Sequence, residues 1–275
     1  MPSNSPMQSK LKFPTQAVQK PGPTSALRTI TALMLREMST TYGRSALGYF
    51  WAILEPVAGI LLMTALFSLA FRDPAVGTSF PLFYATGMMP FLAYTDVSQK
   101  TSVALRFSKA LLFYPRVTFL DAVLARFLTN AITQILTSSA VFWAIVTFSR
   151  VDPFYSPVLI FQGFLMAFAL ALGIGTLNCY LLSVFPIWER TWAVLNRPMF
   201  IISGIFFVFG SIPQPYRDWL WWNPVVHIIG QVRLGVYATY DGSYISQLYV
   251  YSISAICFAV GLLLLRRYHR DIVND

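Results

Sequence analysis

The chain has 275 residues, of which 56% are hydrophobic and 11% charged, and it carries a formal net charge of +9. A soluble domain carries about 25% charged residues, so this composition excludes a soluble globular enzyme and points to a polytopic membrane protein. The basic residues flank apolar blocks and form no soluble basic face, which excludes nucleic acid as the partner and favours anionic lipid headgroups or an anionic cargo.

Residues 1–24 are polar and rich in Pro, Ser and Gln, the composition of a flexible cytoplasmic tail, with no cleavable signal peptide. Over 25–44, Leu27, Ile30, Met34 and Met38 recur at helical spacing, with Arg28, Thr29, Arg36 and Thr40 on the other side. This predicts an amphipathic helix lying in the inner headgroup layer, with a plain cytoplasmic helix as the alternative. The region 45–270 then reads as six membrane spans, each judged against the roughly 20 apolar residues a crossing needs.

The first span is predicted over about Gly48–Phe71, with Glu55-Pro56 near its inner end, and the second over about Phe80–Asp96, interrupted by Gly87 and Pro90. Between the second and third, residues 101–114 predict an inner-side helix. Val103, Phe107, Leu111 and Tyr114 form its apolar stripe, Arg106 and Lys109 sit off it, and Pro115 ends it. It serves either as a grip for a cytoplasmic partner or as a simple connection. The third span starts amid Arg116, Asp121 and Arg126 and continues over Phe127–Ser149. The fourth is a tilted helix within the uncharged run Pro153–Trp188, the fifth covers about Asn196–Phe209 and the sixth about Tyr244–Leu265, followed by a short cytoplasmic tail at 271–275. Before the sixth, residues 211–243 are rich in aromatics and broken at Pro213, Pro215 and Pro224. Two re-entrant or interfacial helices at the outer mouth fit this pattern, and an ordinary aromatic belt is the alternative.

With the N-terminus inside, sixteen of the twenty Lys and Arg fall on the inner side. The outer four, Arg72, Arg150, Arg217 and Arg233, each have an acid nearby in Asp73, Asp152, Asp218 or Asp241. The outside therefore sums to zero and both termini are placed in the cytoplasm. No nucleophile–base pair is evident; His227 lies in the outer aromatic segment and His269 in the basic tail, and no metal site is expected. Cys179 and Cys257 read as buried packing residues. Ala167, Ala171 and Gly175 recur every four residues, a small-residue stripe for helix contact inside the bundle or against a second copy. The chain has no G-x-x-x-x-G-K-[ST] motif, so an ATP-driven machine would need another polypeptide to bind the nucleotide.

Three stretches carry a resemblance: LREMSTTYGRSALGYFWAILEP at Leu35–Pro56, YPRVTFLDAVLAR at Tyr114–Arg126, and IPQPYRDWLWWNPV within Ile212–Val236. Together with the six-span layout they make the chain similar to the membrane subunits of type-2 ABC exporters in the polysaccharide-export branch, and within it to Gram-negative capsule-export permeases. The resemblance implies a homodimer in the bacterial inner membrane, joined to two copies of an ATP-binding subunit that holds ATP and Mg2+, this chain itself being no enzyme and holding no cofactor. It further implies a periplasmic or outer-membrane export partner and an acidic, lipid-linked polysaccharide cargo. O-antigen or teichoic-acid export, and drug or lipid export on the same fold, are the alternatives. Arg106, Phe107, Lys109, Leu111 and Tyr114 would contact the ATPase. Arg36, Tyr42, Arg44, Tyr49, Trp51, Phe91, Tyr94, Arg116 and Arg126 would frame polymer entry and the channel, against the plainer roles of headgroup anchoring and packing. Trp219, Trp221, Trp222, His227 and Arg233 would form the outer gate.

Overall fold

The computed structural model describes residues 23–41, 47–114, 117–149 and 155–274, and no strand occurs among them. In chain order the helices are α1 (Pro23–Thr41), α2 (Leu47–Ala70), α3 (Phe80–Ser102), α4 (Ala104–Leu112), α5 (Phe119–Ser149), α6 (Pro157–Val184), α7 (Pro186–Ile202), α8 (Tyr216–Trp221), α9 (Pro224–Val236) and α10 (Gln247–Asn274), with a short 3-10 turn at Phe209–Ser211. The stretches Phe50–Ala70, Phe119–Phe148, Pro157–Val184 and Gln247–His269 are long and apolar enough to cross a membrane. A segment with this little charge can bury its backbone polar groups in lipid only as a helix.

α6 is the central post. Half of its apolar window is buried, against 11% for α2, and it packs on α10, α3 and α9. The sequence permits this through missing side chains. A Cβ on Gly173 would strike the Ser254 carbonyl of α10, and one on Gly261 of α10 would come within 2.6 Å of Leu177 N. Ala167, Ala171 and Gly175 are buried as well, with Gly175 against Ser98 and Thr101 of α3, so the stripe works inside the bundle. Adding one methyl to such a contact costs about 1–3 kcal/mol. We expect Gly173→Ala to lower the thermal unfolding midpoint in detergent. Gly210→Ala, where nothing lies within 4 Å of the new methyl, should leave it unchanged; equal midpoints for the two variants would refute the close packing.

Several predicted boundaries are corrected. α3 runs without interruption through Gly87 and Pro90 to Ser102. Gly87 is a close-approach site and not a break: a Cβ there would lie 3.0 Å from Ile205 Cα. Pro90 lies buried within the helix without ending it. Within the run Pro153–Trp188 the predicted fourth helix is α6, which starts at Pro157 but ends at Val184, and Pro186 opens α7 before the run is over. The ring of Pro186 drives Phe185 to extended backbone, φ −117° and ψ 96°. The helix predicted over about Asn196–Phe209 is interrupted: α7 ends at Ile202, and Gly204 takes φ +86°, a left-handed conformation that leaves the helical path. α5 starts at Phe119, amid the charges of Asp121 and Arg126 as the sequence predicts, α10 continues past Leu265, and the inner helix predicted at 101–114 is α4 alone, one residue after α3.

Candidate functional site

One end of the bundle, where α3 ends and α5 begins, is organised around Arg126. Its Nε donates to the Lys100 carbonyl at 2.7 Å, and its Nη1 lies 3.4 Å from Glu37 Oε1 of α1. Its guanidinium lies over the Phe107 ring of α4 at 4.0 Å, within the range of a cation–π contact. Asn130, one turn along α5, donates from Nδ2 to Glu37 Oε1 at 3.0 Å and to the Arg126 carbonyl at 2.7 Å. Burial pushes the Glu37 carboxyl above its ordinary value, while the Arg126 charge and the Asn130 hydrogen bond pull it back. One arginine thus ties α1, α3 and α4 to α5.

α4 is held on its other flank by Arg106, which donates to Glu189 Oε2 of α7 at 2.9 Å and to the Leu182 carbonyl of α6. Arg106 was expected to face a partner; the structure engages it within the chain. Lys109 and Leu111 are half-buried, whereas Phe107 is 36% exposed and Phe113 and Tyr114 are each 63% exposed. Helical spacing leaves Phe113 off the stripe, but α4 stops at Leu112, so that spacing does not govern the residues after it.

Between α2, α3 and α5 lies a polar cavity of about 240 Å³. Glu55, Asp96, Lys100, Asn130 and Gln134 line it, with Trp51 at its edge, and Gln134 donates to Asp96 Oδ2 at 2.7 Å. An apolar groove of about 340 Å³ adjoins it between α1, α2 and α5, lined by Met34, Met38, Ile53, Ile132 and Leu136. The two share Ala52, Thr133 and Thr137. A third groove, about 400 Å³, separates α3 from α7, where Phe91, Gln99, Trp192, Asn196 and Arg197 mix aromatic and polar character.

The expected channel residues are therefore scattered. Trp51 is exposed and Arg36 half-buried, its guanidinium 5.7 Å from the Phe107 ring. Phe91 is buried but borders the α3–α7 groove, with its ring 5.4 Å from that of Phe200. Tyr94 is 3% exposed and packs in the core, which corrects its placement on a channel wall. Arg126 is likewise engaged by protein and not presented to a cargo. Tyr42, Arg44 and Arg116 lie outside the described residues, and Tyr49 falls in the first turn of α2. Among the described residues, no three His, Cys, Asp or Glu gather in a metal-sized cluster.

At the opposite end, the expected gate tryptophans split. Trp219 and Trp222 are exposed, whereas Trp221 turns inward, donating from Nε1 to the Tyr244 carbonyl at 3.0 Å. Asn223 caps α9 by accepting from Val225 N at 3.0 Å. His227 is fully buried; its Nε2 lies 2.8 Å from the Trp221 carbonyl and its Nδ1 accepts from Ser246 N at 3.2 Å. Arg233 is also buried. It donates from Nη1 to the Phe207 carbonyl at 2.7 Å and from Nη2 to the Ile205 carbonyl at 2.9 Å, over the Phe83 ring at 4.3 Å. Its balancing by Asp241 is thus corrected: Asp241 is exposed and accepts from Ser243 N. The guanidinium points instead at carbonyls freed where the chain leaves the helix after α7.

The ABC-2 type transporter family model matches residues 28–237, from within α1 to just past α9. The polysialic acid transport protein KpsM of Escherichia coli is 30% identical over 241 residues, covering 86% of this chain and 92% of the relative. The capsule polysaccharide export inner-membrane proteins CtrC of Neisseria meningitidis and BexB of Haemophilus influenzae are 22% and 24% identical, each alignment covering 89% of this chain and 92% of the relative. With the matched region enclosing the α1–α4–α5 joint, the α2–α3–α5 cavity and the buried α9, the chain belongs to the ABC-2 type transporter family.

Proposed function

We propose that this chain is the membrane-spanning permease of an ATP-driven exporter of capsular polysaccharide in a bacterial inner membrane. The observation that carries this reading is near-full-length similarity to proteins named for polysialic acid transport and capsule export. In it α2, α3, α5, α6, α7 and α10 are the six spans, α8 and α9 re-enter from the outer side, and both termini are cytoplasmic. The excess of Lys and Arg on the α4 side supports that orientation. α4 is the coupling helix, and a separate ATP-binding subunit, present in two copies with its ATP and Mg2+, seats against it. A second copy of this chain completes the polymer path. The exposed apolar residues of α2, among them Leu61, Leu62, Leu66 and Leu69, and the mixed groove between α3 and α7 support that arrangement. Aromatic faces interleaved with amides suit a sliding acidic, lipid-linked polymer, which a periplasmic partner then carries onward.

Two measurements test this. Deleting the gene should abolish surface capsule staining, and the intact gene should restore it; unchanged capsule would overturn the export reading. Phe113→Glu with Tyr114→Glu should leave membrane insertion intact and remove the ATP-binding subunit from the purified complex, since charge replaces the most exposed aromatic surface at the end of α4. Retained association would overturn α4 as the docking element.

A further inference from the structure

The polar cavity between α2, α3 and α5 is the least explained feature of the bundle. It opposes two carboxylates, Glu55 and Asp96, to one ammonium, Lys100. An anionic sugar or a phosphate monoester would meet Glu55 and Asp96 unfavourably. A ligand carrying one cation and one anion fits the charge pattern better. The position narrows the choice. In the proposed topology Asp96, six residues before the end of α3 at Ser102, lies about 9 Å in from that end at 1.5 Å per residue, close to the polar boundary of the bilayer. Beside the cavity runs the apolar groove beneath α1, floored by Ile132 and Leu136 and edged by Met34 and Met38. Methionine suits a flexible hydrocarbon ligand because its side chain readily repacks. Only small side chains separate the chambers: Ala52, Thr133 and Thr137 belong to both, and the Thr133 hydroxyl donates to its own helix at Thr129 O, 2.9 Å away.

We infer that the two chambers together bind one aminophospholipid of the surrounding leaflet, its phosphoethanolamine head in the polar cavity and one acyl chain in the groove. The primary ammonium donates to Glu55 and Asp96, the phosphate faces Lys100, and the chain passes over Ala52. Phosphatidylcholine carries the same charges but no N–H donors, and phosphatidylglycerol presents its anion with no cation for the carboxylates. Charge-assisted hydrogen bonds therefore select the ethanolamine head. The site requires only that α2, α3 and α5 sit in a bilayer and is independent of the exported cargo. A lipid wedged there would fix the distance between α1 and the bundle, beside the Glu37–Arg126 contact.

The test uses the full chain in nanodiscs of unlabelled lipid, with three photoreactive probes differing only in their ethanolamine, choline or glycerol heads and carrying the reactive group on the acyl chain. The ethanolamine probe is expected to label peptides of α1 and α5 around Met34–Met38 and Ile132–Leu136 about tenfold more than the other two. Equal labelling by all three would mean ordinary boundary lipid and overturn the inference. Glu55→Gln with Asp96→Asn should abolish the preference, and Ala52→Phe should reduce labelling by every head. A preference surviving the carboxamide pair would overturn the head assignment. The comparison of heads on the wild-type chain stands even where a variant fails to fold. Capsule staining reads the export function separately, so the two failures are distinguishable.

Discussion

Replacing Arg126 with alanine is expected to destabilise the protein by about 3–5 kcal/mol, the usual cost of removing one partner from a buried ion pair. Glu37 and Arg126 side chains are 6% and 12% exposed, so water does not replace the lost cation. Asn130 still donates to the Glu37 carboxylate, but the nearest opposing charge is gone. The Phe107 ring loses the guanidinium above it, so α1 and α4 loosen together. The defect should depend on pH with a definite sign. Burial already raises the folded-state pKa of Glu37, and loss of Arg126 raises it further. A carboxyl that binds its proton better folded than unfolded favours the folded state at low pH, and loses that advantage as pH rises from about 4.3 through the raised value. The Arg126→Ala defect should therefore shrink on acidification, read as the thermal midpoint in detergent across pH. A pH-independent defect would show that Glu37 is not the stranded group. Arg126→Met with Glu37→Gln removes both charges and should recover most of the stability. Export should stay impaired, because the cation–π contact to α4 is not restored; full recovery of capsule would show that the joint does not transmit motion.

The long apolar blocks were readable from composition and spacing, because they answer to the bilayer and not to a particular neighbour. α2, α5, α6 and α10 follow from run length alone. α1 follows from the spacing of Leu27, Ile30, Met34 and Met38, although that spacing does not point to its most consequential residue, Glu37. Polar partnerships were not readable. Glu37 and Arg126 lie 89 positions apart, and Arg106 finds Glu189 across 83. An inner-side arginine has the same local sequence whether it meets a headgroup, a cargo or a buried carboxylate, and only the packing of α1 on α5 decides. Glycine and proline misled for a related reason. Gly87 marks a close approach, Gly204 a true exit from the helix and Pro186 a true start, and the residue type does not separate these uses. Tyr94 reads as a channel aromatic in sequence because it lies on a span next to Phe91, yet α3 turns it into the core.

Arg233 carries the second large expectation. Two arguments pull in opposite directions on Arg233→Met. Removing a buried charge that has no carboxylate partner among the described residues relieves a desolvation cost of several kcal/mol, and apolar replacements of buried ionic groups are often neutral or stabilising by about 1–4 kcal/mol. Against this, the guanidinium answers the carbonyls of Ile205 and Phe207, which lie in a non-helical stretch and have no helix of their own to satisfy them. Hydrogen bonds to a charged group contribute about 1.5–3 kcal/mol each, and each stranded carbonyl costs about 1–3 kcal/mol more. The stacked Phe83 ring adds up to about 2 kcal/mol in a desolvated setting. The carbonyl side is the larger, because Arg233 is buried and carbonyls stranded in its place would bear the full cost of desolvation. We therefore expect Arg233→Met to lower the thermal midpoint sharply and to expose the 205–208 stretch to added protease. Arg233→Lys should fall between it and the wild type, since one ammonium lacks the planar fork that reaches both carbonyls. A Met variant as stable as the wild type would show that the carbonyls after α7 find other donors, and that the arginine is not what holds the segment from Ile205 to Phe207 against α3.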